Sequence, residues 1–267
     1  MSFHRTFAIV IRQFYLLRGS FSRVVPLFAW VAVDMVLWGF LTRYLNTLAS
    51  PGFNFVPALL GAVLLWDFFI RIMQGITMAF LEDVWSRNFL NIFATPLLMP
   101  EYVGGLIVSS IATSVIGLGV MLVIATVFFK LSLFIYGLAV LPFLGVLFLF
   151  GIALGIFGSA LVLRFGPASE WFIWPLPALI SPFAGVLYPV STLPHWMQFV
   201  SRFLPPSYVF EGLRAIVSGG TVSGMALAGG GCLAVGYILL AYKFFTKVYK
   251  NALRTGLIAR YSAENLG

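Results

Sequence analysis

The sequence is poor in charge. Of 267 residues only 9% are Asp, Glu, Lys or Arg, against roughly 25% in a soluble globular domain. So few charges cannot cover a water-facing surface, which excludes an ordinary soluble enzyme or binding module. Cysteine is nearly missing. Cys232 stands alone in an apolar run, so neither an intrachain disulfide nor a cysteine-built metal cluster is available. His4 and His195 are the only histidines, and the topology below puts them near opposite membrane surfaces, so they share no metal. No Lys follows a Gly, because Lys130, Lys243, Lys247 and Lys250 follow Phe, Tyr, Thr and Tyr. A phosphate-cradling loop ending in Gly-Lys-Ser/Thr is therefore lacking. H-E-x-x-H, C-x-x-C and G-x-S-x-G are lacking as well. Any ATP that drives this protein must be hydrolysed by another chain.

What the sequence has is apolar length. Hydrophobic residues make up 61% of it, the mean hydropathy is +1.03, and a bilayer crossing needs roughly 20 such residues. The expected fold is an all-α integral membrane protein, one transmembrane domain over 1–267, with six spans. These fall near Val24–Leu41, Phe55–Phe80, Tyr102–Phe129, Leu131–Leu163, Trp171–Val190 and Met225–Tyr242. A turn with Ser50, Pro51 and Gly52 separates the first two. Residues 1–23 read as an amphipathic interfacial helix: Phe7, Ile9, Val10 and Phe14 alternate with Arg5, Arg12 and Arg18 at helical spacing. The same spread of arginines argues against a cleavable signal peptide.

Orientation follows the Lys/Arg bias of the loops. An inner side would hold Arg5, Arg12, Arg18, Arg23, Arg87, Arg164, Lys243, Lys247, Lys250, Arg254 and Arg260, eleven residues, against four on the outer side, Arg43, Lys130, Arg202 and Arg214. Both ends are expected in the cytoplasm, and a bacterial inner membrane or equivalent is the expected location. The net charge of +8 then reflects inside anchoring and anionic lipid, not nucleic acid.

Three polar constellations interrupt the apolar sequence. Asp34 lies in the first span; Asp67 and Arg71 lie four residues apart on one face of the second. A charge at the bilayer centre costs on the order of 3 kcal/mol, so such residues pair or line a polar path. A structural ion pair is the preferred reading, since proton-coupled carriers scatter more acids through their spans. The second constellation is the stretch 81–97, with Glu82, Asp83, Trp85, Arg87, Phe89, Leu90 and Phe93 before Pro96. Trp85, Phe89 and Phe93 recur at four-residue steps, and an aromatic stripe of that kind either invites a partner's groove or lies flat on the membrane. The third is the outer segment 189–224. Pro189, Pro194, Pro205 and Pro206 break it into short helices suited to a re-entrant hairpin, with Glu211 and Arg214 one turn apart.

The run Ser181-Pro-Phe-Ala-Gly-Val-Leu-Tyr-Pro-Val-Ser-Thr-Leu-Pro-His-Trp-Met-Gln, continuing to Phe203-Leu-Pro-Pro-Ser-Tyr and Glu211-Gly-Leu-Arg, resembles the C-terminal signature of ABC-2 type transporter permeases. The stretch from Glu82 to Ala-Thr-Pro96 is similar to the segment before that family's third span. The resemblance implies the membrane subunit of an ATP-binding-cassette exporter. Two copies, or this chain and a related permease, would pair above separate ATPase subunits that bind ATP and Mg; this chain would carry no cofactor, metal or catalytic residue. Glu82, Asp83, Trp85, Arg87, Phe89 and Leu90 would form the region coupling to the ATPase. Tyr188, Pro189, Pro194, Trp196, Pro205, Tyr208, Glu211 and Arg214 would form the outer gate. Two rival classes stand beside this reading. One is a secondary carrier with Asp34 and Asp67 as proton sites, and the other an intramembrane enzyme using His195 and Glu211. Neither the substrate nor the transport direction is written in the residues.

Overall fold

A computed structural model of the chain describes residues 2–48, 55–86 and 88–256, with side chains for all of these except 22, 23, 26, 27, 90, 133, 134 and 167. The turn expected at Ser50–Gly52 lies outside the described residues. The described residues form helices α1 (Phe3–Arg18), α2 (Phe21–Leu48), α3 (Gly61–Trp85), α4 (Phe89–Phe93), α5 (Met99–Phe129), α6 (Val140–Phe165), α7 (Glu170–Ile173), α8 (Leu176–Ala184), α9 (His195–Ser201), α10 (Pro205–Val217) and α11 (Gly224–Arg254). Among the described residues five stretches are long and apolar enough to cross a membrane: Phe28–Leu48, Val56–Trp85, Met99–Phe129, Ile135–Phe165 and Gly224–Arg254.

Local chemistry sets the helix ends. Pro100 sits in the first turn of α5, where its missing N–H costs nothing. The Glu101 carboxylate accepts from Leu98 N at 3.0 Å, filling an orphan donor and complementing the helix dipole. The same helix stops at Lys130, which takes the left-handed conformation (φ 56) while its N–H reaches Thr126 O and Leu131 N reaches Ala125 O. A π-helical turn at Val56–Leu60, containing Pro57, leads into α3, and the Pro57 carbonyl accepts from Tyr136 Oη at 2.6 Å.

Small residues let the long helices close on one another. Gly151, Gly155 and Gly158 of α6 abut Ile72, Ile76 and Thr77 of α3, where an added Cβ would meet those side chains at 3.0, 2.9 and 2.6 Å. The pairs rise together in number, so α3 and α6 run parallel. Phe150 with Tyr237 and Phe157 with Phe244 show that α6 and α11 are parallel too. Against α5 the order reverses: Gly75 meets Ser110, and Arg71 meets Gly117, so α3 and α5 are antiparallel. The core lies at these contacts, with α3 at the centre and Leu60, Leu64, Phe69, Met73, Ile76 and Phe80 shielded completely or nearly so.

One expected element takes a different form. Instead of a continuous fifth span at Trp171–Val190, the chain makes α7 and α8 with a break at Trp174–Pro175, and α8 ends at Gly185 in the left-handed region (φ 62). Pro175, Pro177 and Pro182 each remove a backbone donor, so no helix of crossing length forms there. Because α6 and α11 are parallel, the chain between them must still return to the end where both begin. Phe183 O accepts from Ser201 Oγ at 2.5 Å, and Val186 O lies 3.5 Å from Arg214 Nη1. The return therefore finishes against α9 and α10.

Candidate functional site

The densest polar chemistry gathers at the end of the bundle where α3 finishes and α5 starts. The Arg12 guanidinium of α1 donates from Nη1 to Asp83 Oδ2 at 2.9 Å and from Nη2 to Asp83 Oδ1, a two-toothed pairing that suits the planar fork of arginine. Tyr102 Oη donates to the same carboxylate at 2.6 Å. Asp83 is 2% exposed, so all of its compensation comes from these two residues. The hydrogen bond to Asp83 raises the Arg12 pKa above its ordinary value, with burial opposing. One turn away Glu101, also buried, accepts from Ser2 N at 2.6 Å, and Arg5 Nη1 stands 3.7 Å from it while donating to Pro96 O. Two carboxylates thus clamp α1 across the α3–α5 junction.

Behind the clamp is an aromatic cluster. Phe80 packs edge-on to Phe89 at 5.4 Å, Phe89 meets Phe93 at 4.7 Å, and Phe93 meets Tyr102 at 5.5 Å. Phe245 and Tyr249 of α11 close the far side. This corrects the expected outward-facing stripe. Phe89 is buried and Phe93 half-buried, both turned into their own chain, and only Trp85 of the three stays open, at 55% exposure. The stretch is also two helices, not one, since α3 runs on to Trp85 and a separate five-residue α4 follows. Of the residues expected to couple, Asp83 and Phe89 face inward, Glu82 is half-buried and Trp85 is exposed. Arg87 and the side chain of Leu90 lie outside the described residues.

In the middle of the bundle Asp34, Asp67 and Arg71 lie close enough to interact electrostatically. The Arg71 guanidinium rests on Gly117 of α5, whose missing side chain leaves the room it occupies. The cluster therefore joins three helices, whereas the sequence suggested two. Among the described residues, Asp67 Oδ2 is buried with no hydrogen-bond partner, as is the Ser114 hydroxyl of α5.

The opposite end carries the outer constellation. Glu211 Oε1 accepts from Val190 N at 2.7 Å and from Arg214 Nη2 at 2.8 Å. Together with the Arg214 contact to Val186 O, this ties α10 to the segment 185–190. Tyr188 Oη donates to Pro182 O at 2.9 Å, and Tyr208 Oη to Arg202 O at 2.7 Å. Pro205 and Pro206 open α10, while Pro189 and Pro194 are exposed on the connecting pieces and Trp196 is exposed in α9. Phe210 of α10 is fully buried and packs 6.0 Å from Trp66. The segment lies on the end where α3, α6 and α11 begin. The structure brings Glu211 to Arg214 and leaves His195 exposed at the start of α9. A cavity of about 360 Å³ lies beside Glu211, lined by Gln198, Ser201, Tyr208 and Ser223 among others.

The clamp residues Arg12, Tyr102 and Glu101 escaped sequence reasoning, since their partners are up to 99 residues away. A signal existed only for Glu101, an acid in a helix's first turn three residues after Leu98.

The model of a family described as ABC-2 type transporter matches residues 4–217. That span takes in the clamp, the intramembrane cluster and the outer segment through α10. No curated protein matches the chain.

Proposed function

The chain belongs to the ABC-2 type transporter family, a family of transport permease domains that are not themselves catalytic, and from that premise we propose that it is the membrane subunit of an ATP-driven exporter. In this reading two permeases, both copies of this chain or one a relative, enclose the translocation path. Separate ATPase subunits, holding ATP and Mg, dock beneath them at the end that carries Trp85. The chain lies in an inner membrane with both termini in the cytoplasm. Its remaining crossing, the fifth in chain order, is the broken pair α7–α8: fifteen residues from Glu170 to Ala184 reach about 22 Å and carry the chain back between two parallel spans. Trp171, Phe172 and Leu179, apolar and exposed, suit a surface facing lipid or a second permease. In the same reading α1 lies at the membrane interface, and residues 189–224 cap the path from outside.

The observation that carries the reading is the family match across residues 4–217 in a chain with five apolar helices of crossing length. The clamp supports a mechanism. A push delivered near Trp85 passes through Asp83 to α1 and through Tyr102 to α5, so three elements move together. Trp85→Ala tests it. Trp85 is exposed, so the variant should insert and fold as the wild type does while losing co-purification with an ATPase and ATP-dependent transport. Full ATPase association and transport in that variant would remove the coupling role. Transport that persists without ATP and collapses with the ion gradient would instead favour a secondary carrier using Asp34 and Asp67.

A further inference from the structure

The last three turns of α11 carry Lys243, Lys247, Lys250 and Arg254. Steps of four, three and four residues place them on one helix face, over about 16 Å of helix. Arg164, from the last turn of α6, faces the same space. Together the five cations line an open groove of about 1140 Å³, with Tyr242, Asn251 and Thr255 between them and, among the described residues, no carboxylate in the lining. That is roomy enough for a complete lipid headgroup, since small-molecule sites run to roughly 300–1,000 Å³. All five cations are exposed.

Two other basic side chains at this end, Arg5 and Arg12, are already in use. Asp83 holds Arg12 and Glu101 holds Arg5. Among the described residues no carboxylate forms an ion pair with Arg164, Lys243, Lys247, Lys250 or Arg254. Anchoring by scattered positive charge accounts for cations near helix ends. It does not account for their convergence from two helices on a single groove. Depth fits as well. The 31 residues of α11 span about 46 Å against a hydrocarbon layer of roughly 30 Å, so its last turns emerge at headgroup level.

We propose that this groove is a binding site for a phosphate anion, the chemistry shared by an anionic lipid headgroup and free inorganic phosphate. Arg164 supplies a planar fork able to hold two phosphate oxygens, and the lysines supply point charges around it. The Phe165 ring, 5.1 Å from the Arg164 guanidinium carbon, steadies that fork. The site stands independently of ATP coupling and of transport direction.

The test uses the full chain in nanodiscs of phosphatidylcholine, with or without phosphatidylglycerol, read by native mass spectrometry of retained lipid and by thermal unfolding. Wild type should retain phosphatidylglycerol over phosphatidylcholine. The triple variant Lys243→Gln, Lys247→Gln, Lys250→Gln should lose that preference by about fivefold per lysine at low salt. Lys→Arg at the same positions should restore it. Arg43→Gln, a single charge loss at the other end that matches Arg164→Gln, should leave it intact. Should the triple variant fail to fold, Arg164→Gln carries the same expectation at about fivefold. If inorganic phosphate raises the unfolding temperature of wild type in pure phosphatidylcholine, and not that of the Lys→Gln variant, the site stands with free phosphate as its source. Equal retention of the two lipids without a phosphate response, or selectivity unchanged in the variants, overturns the proposal. Lysine-dependent capture of an ATPase with neither response would overturn it too, by giving the groove to an acidic protein.

Discussion

Replacing Arg12 with Gln should loosen α1 from the end of α3. The size of the effect lies between two limits. Breaking a buried ion pair costs about 3–5 kcal/mol, and breaking an exposed one about 0–1 kcal/mol. The Asp83 side chain is 2% exposed and that of Arg12 is 27%, which places the pair between those limits, near 2 kcal/mol. Asp83→Asn should cost less, about 1 kcal/mol, because the amide oxygen still accepts from Tyr102 and the half-open arginine can turn to water. The double variant should cost less than the two singles added, since removing both partners leaves no buried charge. Asp83 raises the Arg12 pKa, so the pair's contribution is complete below arginine's ordinary value and is lost only as pH rises through the raised one. Neutral-range pH changes should leave the arginine side of the pair untouched. Gln13 of α1 is buried and reports the opening: Gln13→Cys in a Cys232→Ser background should react with a maleimide about 30-fold faster once Arg12 is Gln, the population change for about 2 kcal/mol. Equal labelling rates with and without Arg12 would refute the clamp.

Two further expectations concern packing and the outer end. Gly155→Leu drives a side chain into Ile76, whose Cβ an added Cβ would already meet at 2.9 Å; it should lower stability by about 1–3 kcal/mol, seen as a lower unfolding temperature in detergent. Gly145→Ala, on the same helix with nothing within 4 Å of the new atom, should be neutral or raise it slightly. Arg214→Ala removes the cation beside half-exposed Glu211 and should cost about 1 kcal/mol, with transport falling while insertion and ATPase association are retained. Unchanged transport in that variant would detach the Glu211–Arg214 staple from the outer gate.

Hydropathy makes the long spans legible because a bilayer reads length and polarity, and both are local properties of sequence. Five of the six expected spans coincide with apolar helices of crossing length. The fifth differs because hydropathy counts Pro175, Pro177 and Pro182 as mildly neutral residues, while their effect is on backbone hydrogen bonds. The stripe Trp85–Phe89–Phe93 misleads for another reason. An amphipathic period shows that a face is covered, and is silent on whether the cover is a partner or the chain's own Phe80 and Tyr102. The Gly151, Gly155 and Gly158 row was legible in principle as small residues at helix-packing spacing. The Arg12–Asp83–Tyr102 link was not, because nothing local couples residues that meet only after three helices, α1, α3 and α5, have assembled.

The parallel run of α6 and α11 also has a bearing on biogenesis. Neighbouring spans in a membrane protein ordinarily zip as antiparallel hairpins while they emerge from the ribosome. Here the face of α6 that bears Phe150 and Phe157 waits for Tyr237 and Phe244, and the chain must first thread α7–α8 back and lay down α9 and α10. Synthesis therefore leaves a half-built bundle with an open seam until α11 arrives. For that interval the seam is covered only by lipid or by an insertion chaperone, so lesions in α11 should register first as failed assembly and degradation, before any effect on transport can be measured.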